Sequence, residues 1–550
     1  MLAMPEGLAY CFAFMSPRAE KLFTAWIALS YTGLLAASWV SNLPRGLWED
    51  GYFVIRFAHQ LWNHGMFAWN PSDGPVYGMT SQTLQLLGAA LYAVDAAHVV
   101  TLLRAALAAS VLATLFTIGR MLKQAGAFPL GLIPATAALS LPLLLELLVS
   151  GLETTMALWV VALAIYLTLE LFEGRVRPLS VALSHLLVYW TRPDAVVIPL
   201  VVLGLLGLQS RRRALITGGF VAAGLAVSLT LFYVYYGTAL PLPFYIKTHG
   251  ISVQTAAHLA VFAPEKTKNA VQAAFWVSPF VYIALHSTSR RTLALLASGF
   301  ALAAYHYVAT VETMGHHSRF YLPALVPLWI AASLAYPAYL GKRRNALTVA
   351  LCAGYVLCFY GLSRVDAARR IDIWLSPGRY LPYLAACCIV LLVPRANPRL
   401  GAAVLRASFL AAAIVLHPVK HRQIETDRAI LLRQIAPRRV FRGLARLHER
   451  IPVRALFHTD MGAPGLLFPE ARVVDLDGLL NEDITLRGAH FQELCAADRP
   501  EAIFLPNESY PELRDEVLTS ECFKDYRSVD DDPSSPLRIR ADLHTRYVSP

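Results

Sequence analysis

Residues 21–57 read KLFTAWIALSYTGLLAASWVSNLPRGLWEDGYFVIRF. An uncharged apolar run ends in a polar turn, and the turn carries two adjacent carboxylates, Glu49 and Asp50, six residues before Arg56. About 20 apolar residues suffice to cross the hydrocarbon core of a bilayer. The run 22–43 meets that length, is long for the core of a signal peptide, and leads straight into the polar turn, so it reads as a retained membrane helix.

Similar runs recur outward from this one. The 550 residues are 56% hydrophobic and 15% charged, with a mean hydropathy of +0.48, which excludes a disordered, collagenous or ordinary cytosolic chain. Apolar stretches near 20–42, 98–119, 128–149, 154–172, 178–191, 194–210, 214–236, 270–288, 292–311, 320–340, 345–363, 379–394 and 400–417 predict about 13 spans. The pair flanking Arg192 is short enough to tilt, break or re-enter. The expected fold class is a polytopic α-helical membrane protein, residues 1–417, followed by a smaller domain, 418–550.

Charge divides the chain in the same place. Residues 1–420 hold 30 Lys and Arg against 15 Asp and Glu, a net of +15, whereas 421–550 hold 18 against 22, a net of −4. Positive charge within a membrane region speaks for orientation more than for nucleic acid, so no nucleic-acid partner is expected. Arg18/Lys21, Arg120/Lys123, Arg175/Arg177, Arg211 to Arg213, Arg290/Arg291, Lys342 to Arg344 and Arg395/Arg399 all fall on one side when the N-terminus is cytoplasmic. The alternate loops, among them 42–97, 237–269 and 312–319, then lie outside with the C-terminal domain, as expected for a multi-pass inner (plasma) membrane protein.

The first outer loop has helical apolar spacing over 53–68 and 79–97, predicting two amphipathic helices on the membrane surface, with most of its tryptophans in an aromatic belt. In the tail, β-type runs at 453–457, 472–476 and 502–505 alternate with helical stretches at about 424–449, 487–497 and 510–518, predicting a small extracytoplasmic α/β domain. Of seven cysteines, Cys352, Cys358, Cys387 and Cys388 lie in apolar spans and read as small hydrophobes. Only Cys495 and Cys522 share a polar region; outside the cytoplasm they are able to pair, though spacing alone does not set their distance.

Carboxylates and cations gathered at one membrane face suit a reaction whose donor is a lipid. A hydroxyl acceptor needs a general base, and a departing lipid phosphate needs positive charge around it. Glu49 and Asp50 offer the base; Arg56, Arg192, Lys247, His316, His317 and Arg319 all stand at outer span ends and offer the charge. Each also has a structural reading. Asp50 could cap the following helix, Arg192 and Lys247 could snorkel, the histidines could be a simple loop pair, Arg319 could satisfy Glu312, and Glu153 could cap its span. No spacing is that of a strong metal motif, although Glu49, Asp50 and Glu312 have the oxygen chemistry for a divalent cation.

Glu49-Asp50-Gly-Tyr-Phe-Val-Ile-Arg56-Phe, then Asn63-His-Gly65, Asn70-Pro71 and Gly78-x-Thr80, resemble the Asp-Asp, Arg-Tyr, Asn-Pro and Glu-Gly-Tyr-Thr block of GT-C class membrane glycosyltransferases. The likeness is to the arabinofuranosyltransferases that use polyprenyl-phosphate arabinose. Ser150-Gly-Leu-Glu153-Thr, Thr191-Arg-Pro-Asp194, Tyr236-Gly with Pro241, Tyr245 and Lys247, Arg319-Phe-x-x-Pro323, Gly462-Ala and Val474-Asp475-Leu-Asp-Gly478-Leu follow in family order. The resemblance implies a GT-C-like inverting glycosyltransferase with Asp50 as catalytic carboxylate and Glu49 in the neighbouring acidic position. It implies that Arg56, Glu153, Arg192, Lys247, Glu312 and Arg319 line the donor cavity; His317, at an outer span end, is a further phosphate candidate, and Tyr52 and Tyr245 are candidate cavity residues. Glu49 stands where the family usually has Asp, and Tyr77 where a Glu is common.

The donor implied is a polyprenyl-phosphate sugar, arabinofuranose on the strength of the resemblance, and the acceptor a hydroxyl on a glycan, a glycolipid or a secreted protein. No protein-bound cofactor is expected beyond that possible divalent cation. A transporter or flippase of a lipid-linked saccharide is the alternative, with charged residues lining a path through the bilayer.

Overall fold

The computed structural model describes residues 47–249, 256–309, 316–341, 443–507, 510–529 and 535–548, with parts of 21–36, 348–357, 377–392 and 431–441. Among these the chain is mostly helical, with a small sheet in the C-terminal part. Among the described residues five helices are long and apolar enough to cross a membrane: Val99–Gln124, Thr154–Phe172, Arg211–Tyr236, Arg290–Ala309 and Arg319–Gly341. This is the architecture of a membrane protein.

Several of the expected spans differ in detail, for local reasons. The stretch expected as one span at 128–149 is two helices, Leu132–Leu139 and Pro142–Leu147. Pro142 lacks the N–H needed to continue the first helix and stands instead in the opening turn of the second. Pro178–Thr191 and Pro193–Gly207 flank a break at Arg192, whose backbone is extended as expected before a proline. The expected span at 270–288 begins earlier, as Ala256–Ala284. The expected loop 237–269 contains the helix Leu242–His249. The expected span 400–417 lies outside the described residues, as do most of the first span and of 345–363.

Three of the basic turns meet at one end of the Thr154–Phe172 helix. There Arg175 donates twice to Glu170 at 2.6 Å, Arg291 pairs with Glu173, and Arg213 donates to the carbonyls of Leu171 and Phe172. Glu153 stands at the far end of the same Thr154–Phe172 helix, about 28 Å away at 1.5 Å per residue.

The C-terminal part forms a five-stranded sheet: β1 Ala455–His458, β2 Arg472–Asp475, β3 Ala502–Phe504, β4 Tyr526–Ser528 and β5 Leu537–Arg540. Its order is β2-β1-β3-β5-β4, with β1 parallel to β2 and β3 and the other pairs antiparallel. The first three strands match the expected ones. Arg527 of β4 and Arg538 and Arg540 of β5 project from strands only three and four residues long, which hid both from the apolar pattern. A Cys495–Cys522 disulfide, Cα to Cα 6.1 Å, ties Phe491–Asp498 to the turn before β4.

The helices Gly51–His64 and Gln82–Val94 form as expected from their apolar spacing. The first is not free on a membrane surface, because nine of its residues are buried, Arg56 among them. Its face packs on the C-terminal domain. Arg56 makes five donor contacts: Nε to the Trp69 carbonyl, one terminal nitrogen to the carbonyls of Gly465 and Phe468, and the other to Asn70 Oδ1 and the Ala471 carbonyl, all at 2.7–3.1 Å. The guanidinium also lies 4.6 Å from the Trp69 ring centroid.

Burial pulls the Arg56 pKa down to about 9, against the raising effect of Glu470 and Asp73, so the side chain stays charged at neutral pH. Trp69, expected in an aromatic belt, is 1% exposed, and its indole N–H donates to the Val473 carbonyl on the edge strand β2. Asn70 completes that edge by pairing with both the N–H and the carbonyl of Val473.

Replacing the Arg56 guanidinium with an apolar chain leaves several buried carbonyls without a donor. Arg56→Met is expected to cost roughly 3 kcal/mol or more, read as a lower midpoint of thermal unfolding in detergent. An unchanged midpoint would remove Arg56 from this role.

Candidate functional site

Asp50 occupies the position before the helix Gly51–His64, yet its side chain makes no capping hydrogen bond. Oδ2 instead accepts from Arg319 at 3.0 Å. The capping alternative therefore fails for Asp50, and Arg319 has a carboxylate partner other than Glu312. Backbone contacts hold this corner. The Trp48 N–H donates to the Ser150 carbonyl at 2.9 Å, and a Cβ at Gly51 would collide with that same oxygen. Glycine is required here for the close approach, which brings the Asp50 turn against the Ser150 to Glu153 turn.

Asp50, Arg319, Glu153, Arg192, Asp194 and His306 line one cavity of about 400 Å³, within the range of small-molecule sites. Apolar walls come from Phe53, Leu84, Val197, Pro241, Phe244 and Phe320, and Leu479 of the C-terminal domain reaches in. Arg192 links two acids, with Glu153 Oε1 at 3.4 Å and Asp194 at 3.3 Å. His306 Nε2 lies 2.8 Å from Asp194 Oδ2. Only 5% of the Arg192 side chain is exposed, which excludes a snorkelling role, and Glu153 makes no side-chain cap. The polar groups stand at helix ends: Glu153 before Thr154–Phe172, Arg192 after Pro178–Thr191, and His306 in the last turn of Arg290–Ala309.

Other expectations are corrected. Glu49 does not line the cavity. Its Oε1 accepts the Ala463 N–H at 2.5 Å, and a Cβ at Gly462 would strike its carbonyl, so Glu49 tethers the C-terminal domain. Adjacent residues at the start of a helix point about 100° apart, which sends the two acids in different directions and prevents a shared cation site. Arg56 is six residues beyond Asp50, ~240° around the helix, and faces the C-terminal domain instead of the donor cavity.

Tyr52 is buried, accepts from the Leu47 N–H at 3.3 Å and lies outside the lining, as does Tyr245, whose neighbour Phe244 lines the wall. Tyr77, where the family favours an acid, is packed against Tyr236 with ring centroids 4.8 Å apart. The Lys247 backbone is in Leu242–His249 and that of His316 and His317 in His316–Tyr321, but their side chains lie outside the described residues, as does Glu312 entirely.

Asp194, His306 and Phe320 were not assigned roles from sequence. An ionisable residue in an apolar span is itself a signal of function, and His306 satisfies that criterion. In the C-terminal domain Asp475 shapes a turn, accepting the N–H groups of Asp477 and Leu480 at 2.9 and 2.8 Å. Burial, reinforced by Asp477, pushes its carboxyl well above the usual range despite those donors. Among the described residues no group of three His, Cys, Asp or Glu side chains is arranged to hold a metal ion.

Comparison with protein-family models, with curated proteins and with solved structures finds no match to the chain.

Arg192 is the counter-charge that Glu153 and Asp194 share. Arg192→Met is expected to lower stability by about 2–3 kcal/mol because it strands two partly buried carboxylates, and adding Asp194→Asn should recover part of the loss. Thermal unfolding of both variants in detergent checks this; no recovery in the double variant contradicts the shared role.

Proposed function

We propose that the protein is an inverting GT-C class membrane glycosyltransferase. It moves a sugar, arabinofuranose by the resemblance of its sequence blocks, from a polyprenyl-phosphate donor to a hydroxyl of a glycan, glycolipid or secreted protein. The observation that carries this reading is the Asp50–Arg319 pair, which sets a carboxylate beside a cation in a cavity with apolar walls. Asp50 accepts the proton of the acceptor hydroxyl, the hydroxyl oxygen attacks the anomeric carbon from the face opposite the phosphate, and Arg319 and Arg192 stabilise the departing lipid phosphate. The GT-C architecture of about 13 spans belongs to the same proposal.

In the orientation we propose, the N-terminus is cytoplasmic, the protein sits in the inner membrane, and the cavity and C-terminal domain are extracytoplasmic. Two features support this: the seven basic clusters at alternate turns, and the Cys495–Cys522 disulfide, a bond that persists in oxidising compartments. A transporter or flippase would place its polar residues near the bilayer midplane. The polar side chains of this cavity lie at helix ends, which favours the transferase.

The test is purified protein assayed with polyprenyl-phosphate arabinose and with hexose donors, with mass analysis of the acceptor. Asp50→Asn is expected to lower transfer by about 10²- to 10⁴-fold, the usual contribution of a general base, while the protein still folds and inserts. Glu49→Gln retains an acceptor oxygen for the Ala463 N–H, and its effect on transfer should be at least tenfold smaller. Near-normal turnover by Asp50→Asn would overturn the assignment.

A further inference from the structure

Phe320 is touched by three basic side chains from three separate segments. The Cζ atoms of Arg192 and Arg319 each lie 5.2 Å from its ring centroid, and the His306 imidazole is stacked with it at 6.1 Å and 24°. His306 is 4% exposed at its side chain, lines the cavity, and has Asp194 Oδ2 at 2.8 Å from Nε2. Tyr305 and Tyr321 meet the imidazole ring nearly edge-on, at 5.6 and 5.9 Å. An imidazole in such a frame is packed on several sides beside a carboxylate.

Charge bookkeeping for the proposed reaction gives this third base a purpose. The donor is a phosphodiester with one negative charge. Transfer forms the bond between the acceptor oxygen and the anomeric carbon and breaks the bond from that carbon to the phosphate oxygen, leaving the electron pair on the phosphate. The proton of the acceptor goes to Asp50. One negative charge thus moves from the carboxylate to the phosphate, which departs as a phosphomonoester with up to two. Arg319, paired with Asp50 before transfer, loses that partner's charge at the same moment and becomes available to the phosphate. Two arginines and a histidine arranged around one aromatic ring offer more donors to a dianion than a monoanion can use.

We propose that His306, beside Asp194 and stacked on Phe320, is the third basic side chain of a phosphate cradle that selects the phosphomonoester over the phosphodiester. This rests on the transferase reading and adds to it a residue role and a specificity: the site binds its lipid phosphate product more tightly than a diester of the same chain. His306 then stabilises charge that develops as the sugar leaves, and the same preference makes product release a slow step.

The test measures binding of two probes to the purified full-length protein in detergent: farnesyl phosphate, a monoester, and farnesyl methyl phosphate, the corresponding diester. The native protein is expected to prefer the monoester by roughly tenfold or more, the scale of one charge-assisted contact. His306→Gln should reduce the preference to within about twofold while leaving the diester affinity within about threefold, a pattern that general loss of structure does not produce. Asp194→Asn, which removes the carboxylate beside the ring, is the second variant and should reduce the preference in the same direction.

Equal affinity of the native protein for the two probes overturns this proposal and leaves the transferase reading standing. So does a preference that survives in His306→Gln, or a variant that loses both affinities in proportion. Failure of the native protein to bind either lipid phosphate overturns both.

Discussion

The Arg56 guanidinium is central to the junction between the two parts of the molecule. Arg56 is buried with all its donor directions committed, four of them to main-chain carbonyls, and three of those carbonyls belong to residues 465–471 of the C-terminal domain. Main-chain acceptors do not move independently of the fold that holds them. The helix Gly51–His64 is therefore registered against the C-terminal domain to within a hydrogen-bond length. Asp50 immediately precedes that helix, so its carboxylate is fixed by a contact made six residues away.

The cavity poses the opposite energetic problem. Asp50, Glu153, Asp194, Arg192, Arg319 and His306 are brought together in an enclosure with largely apolar walls. Removing charged groups from water is expensive even when they are paired, and apolar residues of similar volume would often be more stable. Stability alone does not explain such a cluster, whereas the transfer we propose, which moves charge between a carboxylate and a phosphate, would use one. The ion pairs are extended: Arg192 joins two acids and Asp194 joins two bases. Such sharing holds each group in place and allows one member to change partner without leaving another bare.

Legibility in the sequence followed the range of the interactions. Apolar runs as long as a bilayer, the charge division near residue 420 and strands β1 to β3 are local patterns, and all could be read directly. The Pro142 break interrupts a run that is apolar on both sides, so hydropathy alone joined what the backbone separates. Asp50, Glu153, Arg192 and Arg319 could be found because they punctuate apolar spans. Arg56 and Glu49 carry the same kind of charge beside the same spans, yet face the C-terminal domain. Their partners in the C-terminal domain lie more than 400 residues away in sequence, and only helix phase distinguishes them from Asp50. His306 has its partner Asp194 on another segment 112 residues earlier, and no local pattern records that distance of 2.8 Å.

Residues 49 to 51 show how these constraints meet. Glu49 reaches the Ala463 N–H, Asp50 reaches Arg319, and Gly51 presses on the Ser150 carbonyl. Three consecutive residues are thus committed to the C-terminal domain, the cavity and a neighbouring helix turn. None of these contacts is possible without the others, because one short turn has too few soft dihedrals to satisfy three distant partners independently. Leu479 entering the cavity and Leu480 filling the space over Gly78 extend the same dependence. The C-terminal domain is therefore part of the wall and the alignment of the site, and a change in its docking would be transmitted to the Asp50 carboxylate through its immediate neighbour.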